Sequence, residues 1–471
     1  MRIVSGEGGG RGRAGFARYH PMRADQLSSS TAKDIVPLDD KSKVALASSL
    51  MQLAVMYGLP SVYQYASMCA ACAPEGGSGG WRLNLLTHER DIAGAGYQPF
   101  RVPNVDTLYS NAWIDLTDGP VVLELPRFDG RYYTLNFLDA YSNASNISHR
   151  THPNTPRRVL VATTDWEGLP PQGAEVFRVA TSMMWLLMRI QVFGKADLPV
   201  VHELQDSVTI SGASEDSRTW PVVSQHEVES AWKPFLVALD ASLRINGVPV
   251  EDYSLASQFR LLGVGGQFGC DLETLDSAVA EGAQDGFASA MTMIEQSRPL
   301  LGRRLPVGWT RVLDKGAHGT NFLARAVMNF VGLGANVVEE NCSYNTYVDS
   351  AGGALDGSTG VYRIEITEPP PAKAFWSITL YEADSGWLYD APERRHSVGS
   401  ATGRGGADRL LSRAIYISRQ RPPAGTHEDW LPSPAGKFFL VLRIYQPREE
   451  ALSEAWTPPP VRPVADRPVA T

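Results

Sequence analysis

"VVLELPRFDGRYYTLNFLDA" (residues 121–140) is the stretch whose reading decides the fold. In its second half Tyr133, Leu135, Phe137 and Asp139 alternate with Tyr132, Thr134, Asn136 and Leu138, the period of two that belongs to a strand with two distinct faces. "VVLELP" precedes it across the Gly-containing turn "RFDG", so an antiparallel hairpin is expected here. Strand-like patterning of this kind runs from about residue 96 to residue 215.

Working outward, the period changes. "SKVALASSLMQLAVMY" (42–57) has helical spacing and is expected to end at Gly58 and Pro60, with a second helix in "SVYQYASMCAAC". Helical spacing returns in "HEVESAWKPFLVALDASLRI", "LETLDSAVAEGAQDGFASAMTMIEQS" and "NFLARAVMNFVGLG", between about 225 and 335. Strand-like runs follow the turn-rich "DSAGGALDGSTG": "VYRIEIT", "AFWSITLYEA", "AIYISRQ" and "FFLVLRIYQP". Strands grouped in runs predict an α+β multidomain chain: two antiparallel β-sandwich-like domains with a helical segment between them, not a doubly wound parallel sheet. The expected divisions are a flexible segment at 1–40, a helical lead-in at 41–95, a first β domain at 96–215, a helical domain at 216–345, a second β domain at 346–460 and a flexible tail at 461–471.

The bulk properties exclude several classes. A chain of 471 residues with 43% apolar and 20% charged residues is ordinary globular material, too long for one core. A net charge of −8 without a long Lys/Arg run argues against nucleic acid as a partner. "MMWLLMRIQVF" (183–193) is interrupted by Arg189, so no membrane span is expected there or elsewhere. The first twenty residues carry arginines but no apolar core of a signal peptide, and four cysteines are too sparse for a disulfide framework; a cytoplasmic setting with reduced thiols is expected. No cofactor is expected: "GVGGQFG" (263–269) lacks the third glycine of a dinucleotide fingerprint, and no P-loop or nucleophile elbow is present. No metal is expected either, because "HRTH" (149–152) lacks a third ligand and "CAAC" (69–72) lacks a partner pair. The partner left is a small-molecule substrate, with self-association into a homo-oligomer left open.

Candidate chemistry concentrates in "RVPNVDTLYSNAWIDL" (101–116). Asn104 and Asp106 after Pro103 can cap neighbouring backbone N–H groups and fix the entry to a strand. Alternatively Asp106, Tyr109 and Asn111 face a cavity together with Asp139. A carboxylate on a core face must be hydrogen-bonded, paired or protonated, and the last condition makes a general acid or base. Arg131, Arg189 and Arg443 lie inside apolar runs, and Arg443 shares a strand face with Phe439, Val441 and Tyr445. Each must meet a carboxylate of the chain, Asp106, Asp139 or Asp206 being candidates, or the carboxylate or sulfate of a substrate. His202 reads as a hydrogen-bonded core histidine.

"PNVDTLYSNAWIDL", "GRYYTLNFLDAYSN", "TSMMWLLMRI" and "LPVVHELQD" resemble, in order and spacing, the family known as domain of unknown function 1254. "LDGSTGVYRIEI", "AFWSITLYEADSGWL", "DWLPSPAGKFFLVLRIYQPREEAL" and "WTPPPV" resemble its usual companion, domain of unknown function 1214. The resemblance spans roughly residues 45 to 462 and implies β-sandwich-like domains with helices between them, and no established reaction. Where the family usually reads Asn-Pro-Leu-Asn-Arg-Tyr-Ser this chain has "APERRHS", so Arg395 and Ser397 carry over, while Ala391 and His396 stand at the Asn and Tyr positions. After Arg150 a Gly-rich segment of the family is replaced by "THPNTPRR". His396 could take over proton transfer from the phenol, and Trp376 belongs to the aromatics of the family blocks that could line a cleft.

The expectation is an intracellular enzyme acting on a small organic molecule by cofactor-independent acid/base chemistry: hydrolysis, elimination, isomerisation or cyclisation, with a biosynthetic pathway as one setting. Asp106 or Asp139 would be the acid or base and Tyr109 or Tyr133 the hydrogen-bond donor. Asn104, Asn111, Arg131, Arg443, Trp376, Arg395 and His396 would bind substrate. The alternative is a non-catalytic protein that binds a carbohydrate or a lipid-like ligand.

Overall fold

The computed structural model describes residues 35–72, 82–97, 101–154, 156–212, 221–265, 270–313, 315–400, 413–422, 429–453 and 455–464. The expectations for the first 34 residues, the glycine run at 266–269 and the last seven residues lie outside them.

The first β unit comprises β1 (Thr87–His88), β2 (Thr107–Asp115), β3 (Val121–Leu125), β4 (Tyr133–Leu138), β5 (Ala144–Ser148), β6 (Arg157–Thr163), β7 (Ala174–Val179), β8 (Met183–Gln191) and β9 (Thr209–Ser211). They form a sheet of order β1-β2-β8-β4-β5 and a smaller one of order β7-β6-β3-β9. Leu108, Ile114, Leu135, Phe137, Leu186 and Ile190 from the first sheet meet Val121, Leu123, Val159 and Val161 from the second in one sandwich core. The expected hairpin is not formed: β3 pairs with β6 and β9, β4 with β5 and β8. Pro126 has no N–H to continue the ladder, and Phe128 stacks on Tyr133 at 3.9 Å between ring centroids, carrying the chain from one sheet to the other. The period of two marks both strands, and their partners lie elsewhere in the chain.

Helices follow: α1 (Asp40–Cys72) before the strands, α2 (Leu198–Ser207) within them, then α3 (Gln225–Ser230), α4 (Trp232–Asn246), α5 (Tyr253–Ala256), α6 (Ser277–Ser297) and α7 (Phe322–Val331). The break expected at Gly58–Pro60 is absent, and α1 is one helix with Pro60 inside it. Every residue from Tyr57 to Ala66 is buried, so packing overrides the single hydrogen bond that proline removes. By length and composition α1 is apolar enough to cross a membrane, which the strand-like "MMWLLMRIQVF" is not, and 56% of its most apolar window is buried inside the protein. It packs with α4 and α6 against Trp113, Leu138, Trp185 and Leu187, on the first sheet's other face.

The second β unit comprises β10 (Arg303–Arg304), β11 (Thr310–Val312), β12 (Asn341–Thr346), β13 (Tyr362–Ile366), β14 (Ala372–Glu382), β15 (Ser397–Gly399), β16 (Arg413–Ser418), β17 (Asp429–Pro432), β18 (Phe438–Pro447) and β19 (Val461–Pro463), with the short α8 (Glu449–Leu452). Its sheets are β10-β11-β12-β18-β14-β15 and β17-β16-β13-β19, packed through Tyr344, Ile364, Ile378, Leu380, Ile415 and Leu442. The chain is thus an α+β multidomain protein with two sandwiches and a helical layer. Two strand pairs, β6–β7 and β16–β17, are parallel within otherwise antiparallel sheets.

One property positions the site. Antiparallel sheets usually leave one face to water, yet β2, β4 and β18 are buried at every residue. Each principal sheet spends one face on its own sandwich core; the second sheet turns its other face toward the first unit, and the first sheet shares its other face between the helices and the second unit. Leu186→Ala, in the first sandwich core, is expected to cost about 2–5 kcal/mol in urea unfolding. Leu169→Ala, at a residue 93% exposed, should stay within about 0.5 kcal/mol; equal small effects would mean that the core is misplaced.

Candidate functional site between the two sandwiches

Cross-strand partners share a face, so the register shows what each sheet presents to the other. Across the second sheet one row reads Ser343, Arg443, Ser377; the neighbouring row reads Asn341, Tyr445, Phe375. Across the first sheet the row is Tyr109, Arg189, Thr134, Ser148. Polar rows from two sheets are therefore sunk between two apolar cores, where every donor and acceptor must find a partner.

The opening segment of β2 makes the crossing. Asn104 Oδ1 accepts from the N–H of Asp106 (3.1 Å), the N–H of Thr107 (2.9 Å) and the Thr107 hydroxyl (2.9 Å). Asn104 is thus the turn cap, and this frees the Asp106 side chain to reach the second unit. There the Ser377 hydroxyl donates to Asp106 Oδ2 at 2.5 Å, and Ser397 bonds to the same carboxylate. Burial raises the proton affinity of Asp106, against the pull of these hydroxyls and of Arg443. Arg443 makes no ion pair with it. Its Nη1 donates to the Tyr381 hydroxyl (2.8 Å) and its Nη2 to the Val102 carbonyl (2.7 Å). Val102 has φ 55, an uncommon conformation for a β-branched residue, and the Arg443 bond helps to hold it. Tyr109, whose hydroxyl accepts from Asn104 N–H at 2.9 Å, lies under Arg189, with the guanidinium carbon 5.6 Å from the ring centroid.

Two further basic side chains complete the cluster. Arg189 Nη2 donates to the Gly334 carbonyl at 3.0 Å, while its Nη1 is buried without a hydrogen-bond partner among the described residues. Lys315 Nζ donates to Asn341 Oδ1 (2.9 Å) and Ser343 Oγ (3.0 Å) and has no carboxylate partner among the described residues. Burial, then the charges of Arg443 and Arg189, push the Lys315 amine down to about 7. Gly316 (φ +69) packs so closely that a Cβ there would lie 3.0 Å from the backbone of Asn336 and Val337, and its carbonyl accepts from Ala144 N–H, which seats Lys315 against the first unit. The Tyr445 hydroxyl and Asn136 Nδ2 are also buried without partners among the described residues. At the edge, Glu340 is neutralised by Arg150 (2.7 Å) and bonded by Ser148.

The other expected residues lie elsewhere. Asp139 does not meet Asp106: its carboxylate closes a tight turn, accepting from Tyr141 N–H, Asn143 N–H and Asn143 Nδ2 beside α1. Tyr133 faces the first sandwich core and donates to the His152 carbonyl (2.6 Å). Arg131 forms a two-point pair with Asp197 (2.6 and 2.9 Å), a partner the sequence reading did not name. Asp206 pairs with Arg90 at the surface. Asn111 bonds Trp185 Nε1 and Glu89. Trp376 packs into the second sandwich core, on the face away from the row, and Arg395 pairs with Asp429. His396 is buried next to Ser397, and burial lowers its proton affinity. Asp106, Tyr109, Asn104 and Arg443 are the expected residues that the fold brings together. Lys315, Ser377 and Gly316 had no signal beyond a lone lysine before a glycine and a serine in strand parity.

The chain belongs to a two-domain family of unassigned function. Residues 83–212 match Protein of unknown function (DUF1254), and residues 340–449 match Protein of unknown function (DUF1214). The two matches cover the strands that carry the polar rows. A crystal structure of the VPA0106 protein from Vibrio parahaemolyticus shares the fold, with a TM-score of 0.68 and 22% identity over 89% of this chain and all of that one. An uncharacterized protein from Burkholderia cenocepacia aligns with a TM-score of 0.43 and 12% identity over 94% of this chain and 98% of that one. No curated protein matches the chain.

A carboxyl group whose proton affinity rises on folding stabilises the fold where it is protonated. That contribution is complete below its ordinary value of 3.8 and is lost as pH rises through its native value. Asp106→Asn removes the titration, so its thermal stability relative to the parent chain should increase as pH is raised from below 3.8 to neutrality. A variant that instead loses stability at neutral pH would mark Asp106 as a structural anion.

Proposed function

We propose that the protein is an enzyme acting on a small organic anion by acid/base chemistry in the layer between its two sandwiches. The observation that carries this reading is the charge balance. Arg189 and Arg443 share one layer with the carboxylate of Asp106, Lys315 lies at the far end of the row, and Glu89 acts on Tyr109 from the other side. None of Arg189, Arg443, Lys315 and Asp106 is in an ion pair among the described residues. Buried guanidinium groups without counter-charge cost several kcal/mol, and a carboxylate, sulfate or phosphate on a ligand offsets that cost. Asp106, held by serine hydroxyls with its proton affinity raised, is suited to giving a proton to the ligand or taking one from it. Arg443 and Arg189 would anchor the anion, with the Tyr109 ring beneath Arg189. Asn104 supports both by fixing the turn that delivers Asp106.

A second reading, a non-catalytic binding protein, is favoured by a separate crevice of about 410 Å³ beside Trp456, Val307, Glu365, Pro459 and Arg462. An aromatic with a proline wall and flanking charges is a surface that suits a sugar ring.

Calorimetric titration with small mono- and dicarboxylates, set against their neutral amides, separates the readings. The carboxylates should bind and the amides should not, and Arg443→Met should weaken binding about ten- to hundredfold, the loss of one charge-assisted contact. Bound ligands are then followed by NMR for exchange of carbon-bound hydrogen with deuterated solvent. Exchange that disappears in Asp106→Asn while binding persists supports catalysis. Equal exchange in both proteins removes Asp106 as the acid or base, and binding confined to sugars near Trp456 favours the second reading.

A further inference from the structure

We propose that Lys315 is a nucleophilic lysine, whose Nζ forms an imine with the carbonyl carbon of a short oxo acid held through its carboxylate by Arg443 and Arg189. The inference rests on the anion site proposed above and adds to it the class of ligand and a covalent step.

The row Ser343, Arg443, Ser377 has a chemically different group at each end. Asp106 arrives at Ser377 from the first unit, and Lys315 arrives at Ser343 from the connecting segment. With strands about 4.8 Å apart, the two ends are separated by roughly 10 Å, with the Arg443 guanidinium between them. A lysine next to one guanidinium and near another, without a carboxylate partner among the described residues, is suited to the neutral amine. Its hydrogen bonds fit the free amine. A neutral amine has two N–H groups and one lone pair; the acceptors Asn341 Oδ1 and Ser343 Oγ match the two N–H groups, and Ser343 Oγ is itself oriented by donating to Asn341 Oδ1 at 2.8 Å. The lone pair is then left for an electrophile. A purely structural lysine would be expected to pair with an acid, as Lys43 does with Asp276. The amine pushed down to about 7 agrees with this geometry.

The step balances without a further reagent. The nitrogen lone pair forms the C–N bond, and the carbonyl π pair moves to oxygen. The two amine protons leave with that oxygen as water, and the imine remains. The carboxylate next to the carbonyl lies within reach of Arg443, one strand away, so an α-oxo acid fits better than a simple aldehyde. Asp106, at the far end of the row, is placed to exchange a proton with the other end of the ligand.

The test is reductive trapping on the full chain. The protein is incubated near neutral pH with glyoxylate and sodium cyanoborohydride, and in parallel with acetaldehyde, which lacks the carboxylate; modified lysines are then located by peptide mass spectrometry. The expected result is a carboxymethyl group on Lys315 at least about tenfold ahead of the surface lysines, whose ordinary basicity keeps them protonated, and a clearly smaller preference with acetaldehyde, which shares the free-amine advantage but lacks the carboxylate. Modification spread evenly over the lysines, or Lys315 left unmodified, overturns the proposal. Calorimetry of Lys315→Met and of the parent chain with acetate separates the two levels. Acetate binding without selective trapping leaves the anion site standing and removes the imine, whereas loss of both in the parent chain removes both.

Discussion

The rest of the structure depends on two antiparallel sheets that each have both faces covered. In a solitary sandwich the outer face of each sheet can be polar because water solvates it. Here β2, β4, β8, β14 and β18 keep hydroxyls, amides and charges on those faces, and the opposite unit, together with the helices on the first sheet, takes the place of solvent. Apolar faces would have held the two units together with less difficulty. Keeping Arg189, Arg443, Lys315 and Asp106 there imposes desolvation that only specific partners can offset. The partners are long-range and cross between units: Ser377 to Asp106, Arg443 to the Val102 carbonyl, Arg189 to the Gly334 carbonyl and Asn146 to Asn336. The same contacts that orient the two sandwiches therefore assemble the candidate site.

The way the charges are held distinguishes this layer from the ion pairs elsewhere in the protein. Arg131 has Asp197, Arg150 has Glu340 and Arg395 has Asp429. These arginines are neutralised locally and serve structure. Arg443 instead meets a phenol and a carbonyl, Arg189 a carbonyl and a ring face, and Asp106 two serines. Neutral partners orient a charge without cancelling it, which is the condition for acting on a ligand's charge. Asp139 shows the contrasting case: two backbone N–H groups and an amide enclose it in its own turn. Raised proton affinity alone does not distinguish the two carboxylates; what surrounds them does.

Much of the architecture was legible in the sequence. Periods of two and of 3.6 located the strand runs and the helical segment, and the ordered blocks indicated the family, because both are local properties. Pairing was less legible. "VVLELP" and "RYYTLNFLD" each read as strands, yet they belong to different sheets, since a turn that could close a hairpin can also carry the chain across a sandwich. Pro60 reads as a helix end, and burial on all sides keeps α1 continuous. Of the site, Asp106, Asn104, Tyr109 and Arg443 could be singled out as polar groups embedded in apolar patterns. Lys315 could not, because the segment around it has no period and its partners come from β12. Ser377 could not either: it reads as an ordinary strand hydroxyl until the fold brings it 271 positions back along the chain to Asp106.

The central claim is that the polar layer between the sandwiches holds an anion. The most direct measurement is a crystal structure of the protein grown with tribromoacetate, whose bromines are located by anomalous scattering. The account predicts bromine peaks between the two sandwiches, with the carboxylate in hydrogen-bonding distance of Arg443 and Arg189 and Asp106 still held by Ser377. Bromine absent from that layer, with Asp106 closed in a two-point pair with Arg443, would contradict it.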